Sequence, residues 1–507
     1  MLARLSKISK DTIIYGLGGA TSRLAGLVLL PVFTNAFRGP DSYGDWQAVT
    51  NFVVLLVLVS VIGLDGAYSI VFFSTDSEVE RRRVTTLWVA LALFVSVPLT
   101  VLLIIGSSWV SQVVQGSPRY ADLFAVGVAV LPFSLLQIVV AAILRVHFRA
   151  RAYAILNVSL SILVFGLGIY FVAVLQMDAL GALWATLCAT ALAAMGGLWA
   201  VRRYLEPRLL TGHLWSTTAR MLKLGLPLMP ASVALWVLGF SNTFFLQHMA
   251  GASVTGVFRV GAQIASILGM VLWAFQLAWA PYALSIAREP DAPRVYSRVA
   301  TLYTAGSVGA AVLLGGAAPI VLLLAKGDYA PASSVIGMLA LGSVALGSYY
   351  VFAVGVNIAE RTGQVGWTTM VAAAANLALN ATLIPLWGIV GAGIASVLAS
   401  LVSAVLLYLV SQRIYPLPYE GAKMSGIWLV GSAAVGIAAA FNVVVHPSAL
   451  MSAAFTLVLM LGYVVALFLL GAVTPGQLSV GLGAVRSALG KRMGASAVKR
   501  AAGERRR

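Results

Sequence analysis

Leu180-Gly181-Ala182-Leu183-Trp184-Ala185 opens one long apolar run, and Val390-Gly391-Ala392-Gly393-Ile394-Ala395 opens another 210 positions later. A second match has nearly the same offset: Tyr43-Gly44 returns as Thr255-Gly256, 212 positions on. Two independent matches at nearly one spacing read as the duplication of a folded unit. Each motif and its counterpart stand six apolar runs apart, so the repeated unit is six helices. Six is even, so both copies face the same way and are related by an axis along the membrane normal.

Those runs decide the solvent. The chain has 507 residues, 60% hydrophobic and only 10% charged, whereas a soluble domain carries about 25% charge. Runs of 18 or more apolar residues recur along the whole length, and a bilayer core needs about 20 per helix. The spans expected are 12–36, 47–73, 84–107, 121–145, 153–175, 179–201, 224–247, 253–281, 299–325, 332–358, 365–386, 388–412, 425–445 and 449–471. Arg4, Lys7 and Lys10 before the first run resemble the start of a signal peptide. The apolar part continues to Phe37 without a small-residue cleavage site, so a retained first helix is expected. The fold expected is all-α and membrane-integral, with about fourteen helices. An N-terminal lobe covers 1–205, a cytoplasmic linker 206–223, a C-terminal lobe 224–415, two further helices 416–473, and a basic tail 474–507.

Charge tests the count. Of the 33 Lys and Arg, 28 fall on one set of alternating segments, among them Arg81-Arg82-Arg83 and the closing Arg505-Arg506-Arg507. Arg38, Arg119 and Lys326 lie on the other set, and Arg23 and Arg259 lie inside spans. Basic residues mark the cytoplasmic side, which places both termini in the cytoplasm. The net charge of +17 is therefore a topology signal, and no nucleic-acid partner is expected. The tail reads as a solvated cytoplasmic segment, with a surface-lying stretch on anionic lipid as the alternative.

Catalytic chemistry is missing. There is no Gly-x-x-x-x-Gly-Lys-Ser/Thr and no His-Glu-x-x-His. The four histidines are scattered, no metal site is expected, and Cys188 reads as packing. The longest outer loop, around 106–120, is too short for an outer catalytic domain with positioned acids or metals.

Ionisable groups within the spans call for a partner or a function, since a charge at mid-bilayer costs roughly 2.5–3.5 kcal/mol on insertion scales. Arg23 lies about 16 Å into the first span and Asp65 about 12 Å from the same face, at the helical rise. They are read either as a structural ion pair or as Arg23 holding an anion in a hydrated cavity. Arg259 has no acidic neighbour in sequence and either snorkels outward or contacts an anion. A guanidinium fork suits phosphate because it bonds two oxygens at once. Asn376 and Asn380 are one helical turn apart, which fits interhelical hydrogen bonding; cavity contact is the alternative. Trp236, Phe240, Asn242 and Gln247, with Gln263, Trp273, Gln276 and Trp279, mix aromatic faces with amides, as a sugar-contacting surface would, although tryptophans also anchor helices at the interface.

The motifs resemble a family. Leu29-Leu30-Pro31-Val32-Phe33-Thr34 followed by Gly39-Pro40 and Tyr43-Gly44, then Gly225-Leu226-Pro227-Leu228-Met229-Pro230, Trp279-Ala280-Pro281-Tyr282 and Leu383-Ile384-Pro385-Leu386-Trp387-Gly388 occur in order. Together they resemble the polysaccharide exporters, the O-antigen-type flippases of the multidrug/oligosaccharidyl-lipid/polysaccharide (MOP) superfamily, over roughly 10–415. The resemblance implies two lobes of the multidrug-exporter (MATE) kind with two added helices. It implies a bacterial inner-membrane flippase for a polyprenyl-diphosphate-linked O-antigen, capsule or exopolysaccharide unit, moved to the outer leaflet by alternating access. Membrane lipids and other polysaccharide-assembly proteins would be its neighbours. Arg23 and Arg259 are placed similarly to cavity arginines of related lipid II flippases, where they are thought to meet the diphosphate. Where the family often shows an Asp-Arg pair, this chain has Ser241-Asn242-Thr243, which puts the role of that acid in doubt. No cofactor is expected, and coupling to a sodium or proton gradient stays open. A cation-coupled multidrug exporter, which would prefer acids to arginines in its cavity, and a membrane enzyme of polysaccharide assembly are the alternatives.

Overall fold

A computed structural model describes residues 28–75, 77–209, 214–325, 327–359, 361 and 363–473. Arg23, Lys326 and the basic tail from 474 lie outside the described residues. No strand occurs among those described, and twelve of their helical segments are long and apolar enough to cross a membrane.

The first lobe contains α1 (Pro40–Val61), α2 (Leu64–Phe73), α3 (Glu78–Ile105), α4 (Ser107–Gln115), α5 (Ala121–Ala129), α6 (Leu131–Val146), α7 (Ala150–Gly168) and α8 (Asp178–Val201). A short amphipathic helix, α9 (Leu214–Gly225), leads into α10 (Met229–Met249), α11 (Ala252–Ser285), α12 (Ala292–Gly316), α13 (Ser333–Ile358) and α14 (Gly363–Ile414). Two more helices, α15 (Gly421–Val445) and α16 (Ala449–Leu469), complete the chain as described.

At about 1.5 Å per residue, the 52 residues of α14 are more than twice as long as a hydrocarbon core of about 30 Å. The backbone breaks at Gly388, with φ 52° and ψ −125°, three residues after Pro385. These are the two spans expected at 365–386 and 388–412. Counted as two, they bring the described crossings to thirteen. The first expected span ends in a helical stretch at 28–36 and otherwise lies outside the described residues.

Several boundaries move, and among the starts those of the second and ninth spans move furthest. The second span begins at Pro40, not 47, and the ninth runs over Ala292–Gly316, not 299–325. Both helices start on a proline at N1 or N2, where the missing N–H costs nothing and the fixed φ suits the first turn. Hydropathy marks where lipid stops, whereas the helix continues into the polar region.

The two lobes meet through their repeated motifs. A Cβ built on Gly44 would lie 2.0 Å from the carbonyl oxygen of Ala252, and one on Gly256 would lie 1.9 Å from that of Pro40. Pro40 and Ala252 are themselves 212 positions apart, like Gly44 and Gly256. The contact is thus reciprocal under the repeat, as an interface on a two-fold axis must be. At the opposite end of α1, Ile62 and Gly63 adopt left-handed conformations at φ 51° and 65°. There Gly63 lies against Gly225, with a built Cβ 2.4 Å from its carbonyl oxygen.

Helices α15 and α16 pack on the outer side of the second lobe. Tyr463 donates to the carbonyl of Ala305 at 2.7 Å, and Asn442 to that of Gly315 at 3.2 Å. Glu420, just before α15, accepts from Lys423 at 2.5 Å and from Thr301 of α12 at 2.7 Å. Burial pushes its carboxyl up, but these bonds and the charges of Lys423 and Arg298 outweigh it and hold it below the usual carboxylate range. The free face of α16 shows Leu450, Leu457, Leu461 and Leu469. A stripe like that fits lipid rather than water.

Candidate functional site

Helices α10, α11, α13 and α14 enclose a cavity of about 650 Å³. Arg259, Gln263, Trp273 and Gln276 all line it, together with Phe240, Tyr350, Ser396 and Ser400. The cavity brings Arg259 together with Phe240, Gln263, Trp273 and Gln276 of the expected aromatic and amide surface, whereas Trp236, Gln247 and Trp279 are not among its lining. Arg259, Gln263, Trp273 and Gln276 recur along one face of α11, where positions three or four apart are neighbours. The size lies within the range of about 300–1,000 Å³ usual for small-molecule sites.

Among the described residues Arg259 is the one cation on that wall. Its Nε donates to Gln47 Oε1 of α1 at 3.2 Å, and its guanidinium lies 5.7 Å from the centre of the Phe240 ring. No carboxylate among the described residues pairs with it. A guanidinium held by a neutral amide and an aromatic face in a low-dielectric setting retains its attraction for an anion. Gln47 and Arg259 are 212 positions apart, so they are equivalent residues of the two copies meeting across the pseudo-axis. One copy supplies the charge and the other the amide. The sequence pointed to Arg259 but not to Gln47. The repeat offset was the signal that would have found it.

Asn242, Asn376 and Asn380 do not line this cavity. They form an interhelical network between α10 and α14. Asn380 Nδ2 donates to Ser241 Oγ at 3.1 Å, Asn242 Oδ1 at 2.9 Å and Asn376 Oδ1 at 3.0 Å. Asn242 Nδ2 donates to Ala392 O at 3.1 Å and to Ser396 Oγ at 2.6 Å. All three asparagines are buried. In this conformation these bonds support the interhelical reading, although Asn376 Nδ2 and Asn380 Oδ1 are buried without a partner among the described residues.

A second cavity of about 500 Å³ lies in the first lobe between α1, α2, α6 and α7. Asp65 lines it with Gln137, Arg145, Tyr153 and Asn157, and Ser232 of α10 completes the wall. The partner expected for Asp65, Arg23, lies outside the described residues. Between the cavities, α1 is bound to the other lobe by a seam of polar contacts. Besides Gln47–Arg259, Gln247 Nε2 donates to Asp45 Oδ1 at 3.3 Å, Asn51 Nδ2 to Thr243 Oγ1 at 3.0 Å, and Trp236 Nε1 to Asn51 O at 3.2 Å. Asp45 and Asn51 were missed in sequence. Asp45 fell before the expected start of its helix, and a lone Asn in an apolar run carries no periodic signal.

Two helical lobes, a cavity in each and leucines facing lipid define a multi-pass membrane fold. Solved structures bear this out. The chain is similar to the lipid II flippase MurJ in an inward closed conformation, with TM-score 0.67 and 12% identity over 89% of this chain and 98% of that one. It is also similar to a MATE-family multidrug resistance transporter of the MOP superfamily in an inward-facing conformation, with TM-score 0.57 and 18% identity over 79% and 94%. A third similar structure is the Vibrio cholerae MATE transporter VcmN, with TM-score 0.56 and 14% identity over 80% and 96%. The model of the family described as polysaccharide biosynthesis protein matches residues 8–287, and the chain belongs to that family. A Haemophilus influenzae protein, Lsg locus putative protein 1, is 23% identical over 282 residues, which are 54% of this chain. The matched part spans 66% of that relative's length, just under two thirds.

Proposed function

We propose that the protein is a flippase that carries a polyprenyl-diphosphate-linked oligosaccharide from the inner to the outer leaflet of a bacterial inner membrane. Its termini are cytoplasmic on the charge distribution, and it works by alternating exposure of the space between its lobes. On that orientation the Gly44–Gly256 contact closes the outer end. The family supports a role in polysaccharide assembly, and the fold is one that a lipid II flippase shares. One observation carries the cargo assignment: Arg259 stands without an acidic partner among the described residues, on the wall of a cavity lined by amides, hydroxyls and aromatic rings. The guanidinium meets the diphosphate, and Gln263, Trp273 and Gln276 meet the sugar. Arg23 is assigned a second diphosphate contact, with Asp65 as its partner when cargo is absent. No bond is made or broken in this scheme, and other assembly proteins supply and consume the cargo.

A multidrug exporter of the same fold would bind cations and favour carboxylates. Among the described residues, the lining of the 650 Å³ cavity contains none. Arg259→Ala and Arg23→Ala should each abolish surface polysaccharide while the protein stays in the membrane at normal level. Arg259→Lys should restore little, because a point charge lacks the two-pronged fork. Normal polysaccharide in both alanine variants would refute the arginine assignment.

A further inference from the structure

Asp45 stands where the two lobes touch, on α1, one residue beyond Gly44. It is 8% exposed, and all its side-chain partners among the described residues are neutral. Gln115 Nε2, at the end of α4, reaches Oδ1 at 3.3 Å and the Asp45 carbonyl at 3.4 Å. Gln247 Nε2, on α10 of the other lobe, reaches Oδ1 at 3.3 Å. These are long for bonds to a charged acceptor, which fall at about 2.7–2.9 Å. Both glutamines are more than nine-tenths buried, and the Oε1 of each is buried with no donor. The cluster is therefore rich in acceptors: a carboxylate and two amide oxygens, with too few N–H groups to serve them. Of the other charged groups at this end, Arg119 is exposed and attracts Asp45 through space without bonding it, and the rest are engaged elsewhere. Asp178 accepts from Ser42 at 2.7 Å and lies 3.8 Å from Arg38. Arg119 is bonded to Tyr120, and His248 to the Val113 carbonyl at 2.9 Å. Asp41 is in the first turn of α1, a full turn from Asp45.

We propose that Asp45, Gln115 and Gln247 bind one small monovalent cation of the sodium class, and that the bound ion latches the lobes together at the Gly44–Gly256 end. Hard oxygens and no nitrogen or sulfur ligand favour such an ion over a transition metal. The spacing fits once each amide turns its oxygen inward. Oxygens 3.3 Å apart form the edge around an ion with ligand distances of about 2.4 Å and ligands at right angles. The charge fits as well: one carboxylate neutralises one monovalent ion, whereas a divalent ion leaves a net buried charge, and the competing occupant of an ion-free site is a proton. Asp45 and Gln115 come from one lobe and Gln247 from the other, so the full ligand set exists only when the lobes meet. An ion that binds one conformation better shifts the population toward it by that difference.

The latch rests on the alternating-access reading, and the experiment separates the two. Full-length protein carrying Cys188→Ser, Trp109→Cys and Leu324→Cys is spin-labelled in lipid nanodiscs. Interlobe distances are measured in sodium and in choline, in mildly alkaline and acidified buffer, with and without lipid-linked oligosaccharide. Sodium in alkaline buffer should shorten the distance saturably, and Asp45→Asn should remove that response. Retention of radioactive sodium by the purified protein should fall about tenfold or more in Asp45→Asn, a loss of about 1.4 kcal/mol. Variants are compared only where they remain monodisperse. Distances that follow acidity but not sodium, or sodium retention unchanged in Asp45→Asn, overturn the latch. A distance that never lengthens under any condition overturns alternating access instead, and sodium retention then still decides the binding site.

Discussion

Asn380 shows what a polar side chain within an apolar helix does when protein satisfies it. Its amide reaches three acceptors on two helices. Asn380→Ala removes those bonds and strands Asn242 Oδ1, at a cost of about 1–2 kcal/mol given the worth of buried and intramembrane hydrogen bonds. A lower thermal midpoint in detergent with export retained is the expected result. Export lost at unchanged thermal stability would return this residue to the cargo surface. The i, i+4 spacing of Asn376 and Asn380 was legible in sequence as an interhelical bond. The partners Ser241 and Asn242 were not, because they come from a helix more than 130 positions away. Arg259 was legible because a lone cation in an apolar run is rare. Its orientation was not, since an arginine can snorkel or point inward with the same sequence around it.

Two glycines govern how elements run and cross. Gly388 breaks α14 at φ 52° and ψ −125°, a region that side chains with a Cβ avoid. A Cβ there would meet no atom within 4 Å, so Gly388→Ala tests backbone strain alone. A loss of about 1–3 kcal/mol is expected, seen as a lower thermal midpoint. An unchanged midpoint would mean that the turn adapts freely. Gly256 is the opposite case. Gly256→Ala puts a methyl into the Pro40 carbonyl, so closure between α1 and α11 should fail. Surface polysaccharide should fall while membrane level is kept, and Gly306→Ala, with open space at its Cβ, should be silent. Helix positions were largely legible, since apolar runs must match lipid thickness. The starts at Pro40 and Ala292 were not, because a helix that outruns the bilayer leaves no hydropathy signal.

For the whole molecule, the repeat makes the helical architecture legible in the sequence, and the charge asymmetry predicts its sidedness. A duplicated six-helix unit requires two lobes, and the shared offset of 212 at Gly44–Gly256 and Gln47–Arg259 brings the repeat down to individual contacts. Sidedness is testable directly. In a Cys188→Ser background, a membrane-impermeant thiol reagent added to intact cells should label Gln112→Cys and spare Glu78→Cys. The reverse pattern would invert the proposed direction of transport. What the sequence could not show is which parts of the interface are in contact. That depends on the conformation adopted as well as on the helices present.

The seam along α1 bears on how easily those lobes part. It holds four interlobe hydrogen bonds, through Asp45, Gln47 and twice through Asn51. At about 0.5–1.5 kcal/mol net for each, their loss costs only a few kcal/mol. A charge-assisted bond from Arg259 to an anion is worth a comparable amount. Arg259 is itself one of the seam's donors, so an anion that takes the guanidinium from Gln47 dissolves part of the seam as it binds. A few kcal/mol is also what separates a population of one in a hundred from an even balance. Cargo arrival is therefore of the right size to decide which face of the protein opens, without any stronger force being stored in the fold.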